Sequence, residues 1–341
     1  MWEILLTTCL ALDSGQCATE RREGGATYEE CRARAEKLIP PPGWDAQAWP
    51  CVEVGASPAM PVTEIAPGVF VRRGAHAEIG PENGGAVANA GFVIGERAVA
   101  VIDAGGALAD GAALRAAIRA RTDLPIRWVA LTHMHPDHVL GAAAFVEEGA
   151  TVIGHANLPR ALAARAESYR AAADRALGGQ FGAATVVLPD ETVAATRDID
   201  LGGRILRLEA HPAAHTDNDM SVRDLATDTW FVGDLVFKGH FPSLDGALNG
   251  WIATLDAMAA RPAARIVPGH GPVAAPWPES AAPLRAYLED LRAAARASVA
   301  RGEPMLSAVR AIAAQAPPGW TLAEAFAERN ATAAIREMEW E

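Results

Sequence analysis

Leu131-Thr132-His133-Met134-His135-Pro136-Asp137-His138 places four potential metal ligands within six residues, directly after the strand-like run Ile126–Leu131. Zinc takes imidazole nitrogen and carboxylate oxygen, and a four-coordinate site needs several such groups converging on one point. On an extended segment His133 and His135, two apart, point the same way. A tight turn at Pro136 then brings Asp137 and His138 round toward a second metal. The bland alternative is four solvated loop residues, and this density of histidine speaks against it.

Three more candidate ligands stand at strand ends. His215 lies in Ala214-His215-Thr216-Asp217, Asp234 ends the run Phe231-Val232-Gly233-Asp234, and His270 follows Ile266-Val267-Pro268-Gly269. Each alone is weak evidence. By spacing, His211 competes with His215 for the same role.

Around these residues the chain alternates strand and helix signals. Strands are expected at 69–71, 91–94, 98–102, 126–131, 152–153, 186–188, 205–208, 230–232 and 266–267. A hairpin turn is expected at Gly95-Glu96-Arg97, and helices at 107–121, 158–177 and 250–260. From Pro283 the chain reads as helical, with Leu284, Tyr287, Leu288 and Leu291 spaced as a buried stripe. That region is expected to serve packing rather than the active site.

Residues 1–55 read as a separate module: an apolar strand from Glu3 to Leu12, a polar turn, a helix over Tyr28–Leu38 stopped at Pro40-Pro41-Pro42, and a strand near 48–54. All four cysteines, Cys9, Cys17, Cys31 and Cys51, lie here. Two disulfides and an oxidising compartment are one reading; a structural zinc site or free thiols are the other, and no CxxC pair is present to favour zinc. The domain division expected is 1–55 for this module, 60–280 for a catalytic domain and 281–341 for a helical extension.

Net charge is −12, which argues against binding nucleic acid or an anionic membrane surface. No apolar run approaches the roughly 20 residues of a membrane span. Met1–Leu6 has no basic start and reads as a strand rather than a signal peptide, although a removed signal remains compatible with the sequence.

The ordered set HxHxDH, His before Thr, Gly-Asp and Gly-His after a strand resembles the metallo-β-lactamase superfamily over roughly residues 60–275. The resemblance implies an α/β fold, an αββα sandwich with two zinc ions at one edge. It implies that His133, His135 and His215 hold one zinc and Asp137, His138 and His270 the other, with Asp234 bridging. It also favours His215 over His211. Histidine at 135, where diiron relatives carry glutamate, favours zinc, and the lack of cysteine beyond Cys51 sets the chain apart from the cysteine-ligand β-lactamases.

The flanks are similar to the quinoprotein relay system zinc metallohydrolases: the cysteine module, Phe241-Pro242-Ser243-Leu244-Asp245-Gly246 with Trp251, and the ending Glu328-Arg329-Asn330 to Glu339-Trp340. This implies a periplasmic location and a quinoprotein dehydrogenase pathway as partner; a cytoplasmic location is the alternative.

The implied reaction is hydrolysis of an ester, thioester, lactone or amide by hydroxide held between the zincs, with Asp137 orienting it and shuttling its proton. A lactonase, a glyoxalase II-like thioesterase or a weak β-lactamase is the enzymatic alternative, and a metal-bearing, non-catalytic partner of a redox system the other. Asp103 stands near where the family places a carboxylate behind the ligands, against a plain Asp-Gly turn. His155, after a strand, is expected to make hydrogen bonds behind the site or within the fold rather than to ligate metal. Lys238, His240 and Asn249 are expected at the pocket mouth, and His76 and Asn83 in a Gly-rich flap over the metals.

Overall fold

A computed structural model describes residues 2–10, 13–25, 28–39, 44–48, 51–53, 60–146, 148–177 and 184–341. Near the N-terminus, β1 (Trp2–Leu10) pairs antiparallel with β2 (Asp13–Gly25), with β3 (Trp44–Ala48) and with β4 (Cys51–Glu53), and α1 spans Tyr28–Ala35. The expected polar turn after β1 is thus a 13-residue strand. A hydrogen-bonded ladder needs no apolar side chains, so a polar strand leaves no hydrophobic signature. The register sets Cys9 opposite Cys17. Cys31 is fully buried and is not a free thiol. The expected helix stop at 40–42 lies outside the described residues.

Two sheets follow. The first contains β5 (Thr63–Ala66), β6 (Val69–Arg72), β7 (Ala90–Ile94), β8 (Val99–Ile102), β9 (Ile126–Leu131), β10 (Thr151–His155) and β11 (Glu191–Val193), in the order β11-β10-β9-β8-β7-β6-β5. Helices α2 (Leu108–Arg119), α3 (Pro136–Val139), α4 (Ala143–Val146) and α5 (Leu158–Leu177) connect its strands. From β8 to β11 the pairings are parallel; from β5 to β8 they are antiparallel. The second sheet runs β12 (Thr196–Asp200), β13 (Ile205–Ala210), β14 (Met220–Asp224), β15 (Thr229–Phe237), β16 (Arg265–His270) in chain order, with α6 (Leu248–Ala259) before β16. Helices α7 (Ala282–Ala300), α8 (Met305–Ala313) and α9 (Ala323–Met338) complete the chain.

Alternation along the strands explains the layering. In and beside β8, Val99 and Val101 face the helices of the first layer, while Ala100 and Ile102 face the other sheet. In β15, Phe231 joins the core between the sheets, while Trp230 and Val232 face α6 and α7. Strands covered on both faces are apolar throughout, which is why their sequences show short continuous hydrophobic runs. The result is an αββα sandwich with a C-terminal helical region on the second sheet. Val186–Leu188, expected as a strand, is not one; Val186 and Val187 pack instead against the first helical layer. Among the described residues no helix is long and apolar enough to cross a membrane.

Candidate metal centre

The site forms at the ends of β9 and β16 and within β15, which runs on past Asp234 to Phe237 instead of stopping at it as the sequence suggests. β9 stops at Leu131, and the extended chain beyond it buries Met134 in the first helical layer. Met134 inward forces its neighbours His133 and His135 to the opposite side, toward the second sheet. His135 precedes α3, whose first turn carries Asp137 and His138. His215 comes from the loop between β13 and β14, Asp234 from β15 and His270 from the end of β16.

These seven residues meet in two groups, each with ligand atoms within 4.8 Å: His133, His135, His215 and Asp234; and Asp137, His138 and His270. Oδ2 of Asp234 lies 3.6 Å from His133 Nε2, 3.4 Å from His215 Nε2 and 3.5 Å from His270 Nε2. Its Oδ1 lies 3.2 Å from His138 Nε2. Asp137 Oδ2 is 3.2 Å from His270 Nε2, and His135 Nδ1 is 3.0 Å from His215 Nε2. A Cβ at Gly269 would fall 1.8 Å from Asp234 Oδ1, so glycine is what lets β16 run against this carboxylate.

The outer nitrogen of every imidazole is engaged. His215 Nδ1 donates to the Ser243 carbonyl (2.7 Å) and His270 Nδ1 to the Val87 carbonyl (3.1 Å). His138 Nδ1 donates to Asp103 Oδ2 (2.8 Å), and His135 Nε2 lies 3.3 Å from Asp245 Oδ2. Thr132 Oγ1 donates to Asp103 (2.9 Å) and so is free to accept from His133 Nδ1 (3.0 Å). Carbonyls and carboxylates only accept, so these partners hold a proton on the outer nitrogens and leave the inner nitrogens, as lone pairs or as N–H groups whose proton a metal would displace, facing one another. Inside, His133 Nε2, His138 Nε2 and Asp234 Oδ1 are buried without a hydrogen-bond partner. Buried polar atoms are rarely left so, and metal bound between the two groups would satisfy them.

The electrostatics fit that occupancy. Burial opposes charge on His270, yet Asp234 and Asp137 push it up to about 9. His138 is raised well above its ordinary value against burial by Asp234 and Asp103. Burial takes His215 down to about 3 and, with the neighbouring His138, holds His133 well below its usual range. Against burial, His270 and His138 hold Asp234 well below the carboxylate range, and His138 and His270 do the same for Asp137. The two carboxylates thus make a field that draws positive charge into the gap between the groups.

A cavity of about 720 Å³ opens over these residues, within the size range of small-molecule sites. His135, Asp137, Asp234, His270, His240 and Asp245 line it, with Phe237 and Leu244 as apolar wall. Ala77, Glu78, Ile79 and Val87 of the Gly-rich stretch form one side. Asn83 shapes that stretch by accepting from the Gly80 and Gly85 amides, and His76 stands edge-on to His240.

Lys238 and Asn249 depart from the expected pocket mouth, whereas His155 and His211 stay outside the ligand cluster as expected. Lys238 turns away and donates to Ser280 Oγ (3.0 Å). Asn249 opens α6 and bonds Glu341 and Arg292. His155 accepts from the Asn157 amide and touches none of the seven residues directly by hydrogen bond. His211 is bonded to Ser221 Oγ (2.8 Å), outside the cluster. The C-terminal helices pack as expected, but α9 also reaches the site: Phe326, Arg329 and Asn330 line the cavity. No local pattern in the sequence signals that wall, because it depends on how α9 packs on α7 and α8 and bonds the loop at Pro242 and Leu244. Asp245 enters the sequence reading only within the stretch Phe241–Gly246, with no role of its own; the fold sets it against His135 in the cavity lining.

Comparison with known proteins adds three findings. A family model described as "Metallo-beta-lactamase superfamily" matches residues 83–270. Among solved structures, the metallo-beta-lactamase from Pontibacter korlensis is similar over 67% of this chain and 99% of its own, at 20% identity and a TM-score of 0.55. The sec-alkylsulfatase Pisa1 from Pseudomonas sp. is similar over 81% of this chain and 49% of its own, at 17% identity and a TM-score of 0.59. At such identities the likeness speaks for the fold alone. No curated protein matches the sequence.

Proposed function

The chain belongs to the metallo-β-lactamase superfamily, and on that premise we propose that it is a dinuclear zinc hydrolase of acyl bonds: ester, thioester, lactone or amide. His133, His135 and His215 would hold one ion, and Asp137, His138 and His270 the other, with Asp234 between them. The observation that carries this reading is Asp234 itself. One carboxylate lies within 3.6 Å of imidazole nitrogens from both groups.

Zinc bound there supplies Lewis-acid chemistry without redox change: it acidifies water and polarises a carbonyl. The protein's own residues do the rest. Asp137, kept ionised by His138 and His270 against burial and open to the cavity, orients the attacking water and takes up its proton. His240 is held neutral, with burial lowering it to about 4, and its Nδ1 donates to the Phe241 carbonyl; its Nε2 is therefore an acceptor. Phe237 and Leu244 exclude water from the acyl group.

The proposal extends to place and pathway. A periplasmic location and two disulfides are supported by four cysteines confined to the first 51 residues, by the cross-strand positions of Cys9 and Cys17, and by the buried, non-free Cys31. Service beside a quinoprotein dehydrogenase rests on the resemblance of the flanks.

The test is elemental analysis joined to a screen of esters, thioesters, lactones and β-lactams. Two zinc ions per chain and turnover of at least one class are expected, with His135→Ala and Asp234→Ala losing metal and activity together. Full zinc loading in both variants would refute the assignment.

A further inference from the structure

The cavity has one strong cation that its own chemistry does not use. Arg329 stands on α9, lines the same cavity as Asp137 and His270, and is exposed. Among the described residues it has no ion pair and no hydrogen bond, whereas Arg165 is paired with Asp245 and Arg72 with Asp110. Its root is rigid. The next residue, Asn330, is buried; its Oδ1 accepts from the Leu244 amide and its Nδ2 donates to the Pro242 carbonyl and the Tyr287 hydroxyl. In the lining of that cavity His270 and Asp234 are buried and His135 is half-buried, whereas Arg329 is exposed, with Phe326 from the same helix forming apolar wall.

We propose that Arg329 anchors a carboxylate on the substrate, so that the compound hydrolysed is an anion whose apolar middle spans from the metal pair to α9. The guanidinium offers paired N–H donors in a fork that matches a planar carboxylate. On a chain of net charge −12, an unpaired arginine at a cavity mouth is a local attractor for anions that the rest of the surface repels. This assignment rests on the hydrolase reading, since it takes the other end of the substrate to lie at Asp137 and the metals.

The experiment measures binding rather than turnover. Zinc-loaded protein is titrated calorimetrically, at fixed ionic strength, with dicarboxylates from glutarate to suberate and with the monocarboxylates of equal length. One carboxylate of each compound goes to the metals; the second reports Arg329. At least one dicarboxylate is expected to bind about tenfold more tightly than its monocarboxylate. Arg329→Gln is expected to abolish that preference, Arg329→Glu to reverse it and Arg329→Lys to retain part of it, with unchanged thermal midpoints because the side chain is exposed. No preference in the natural protein, or a preference that persists in Arg329→Gln, would overturn the proposal. An enzyme that hydrolyses nothing yet shows the Arg329-dependent preference would instead sink the hydrolase reading and leave the anion site standing.

Discussion

Asp103 Oδ2 accepts the Nδ1 proton of His138 at 2.8 Å, although 35 residues separate the two. The same carboxylate accepts from the Thr132 amide (2.8 Å) and the Thr132 hydroxyl (2.9 Å), so it locks the start of the histidine run as well as one of its members. Asp103 adopts a left-handed backbone, φ 57°, a conformation that aspartate and asparagine tolerate better than most residues.

Asp103→Ala is therefore expected to weaken zinc affinity by roughly 10- to 100-fold, the usual cost of losing a group that orients a ligand. Asp103→Asn keeps the backbone but halves the acceptors and should fall between. Competition with a chelator of known affinity measures this, and unchanged affinity in Asp103→Ala would contradict it.

Zinc uptake should release protons. His270 is raised to about 9 in the metal-free protein, chiefly by Asp234 and Asp137 against burial. At pH 7 to 8 it carries a proton that zinc must displace. The sign follows directly: release from this group is full below its folded pKa and vanishes as pH rises past it. Calorimetry in buffers of different ionisation enthalpy should show this proton at pH 7.5 and not at pH 10.

Acid should destabilise the fold through His211. Burial takes this imidazole down to about 4. A depressed folded value means the unfolded chain binds the proton first, so stability is full above the ordinary value near 6.5 and is lost as pH falls toward 4. The loss from this group is on the order of 2–3 kcal/mol. Urea midpoints measured from pH 7.5 to 4 should fall less steeply in His211→Gln; an identical slope would argue against the assignment.

Asn330→Ala should cost about 2–4 kcal/mol, since it strands three buried partners, the Leu244 amide, the Pro242 carbonyl and the Tyr287 hydroxyl. Those bonds tie α9 to the loop carrying Ser243, whose carbonyl orients His215. A lower thermal midpoint together with weaker zinc binding is expected. A loss of stability with zinc affinity intact would show the loop to be held without α9.

Adjacent residues wrote much of this site into the sequence. The spacing of His133, His135, Asp137 and His138 after a strand needs only the two-residue period of an extended chain and a turn at Pro136, both local. The continuous apolar runs of β8 and β15 likewise announce strands covered on both faces. Tertiary structure alone decided the rest: that Lys238 reaches Ser280 instead of the cavity, and that Arg329 and Asn330 line the pocket. The latter depends on the packing of α9 against α7 and α8 and on its bonds to the loop at Pro242 and Leu244. The Lys238–Ser280 bond joins residues 42 positions apart and the bonds of Asn330 to Leu244 and Pro242 span 86 and 88, and nothing in a local pattern of polar and apolar residues encodes such pairings.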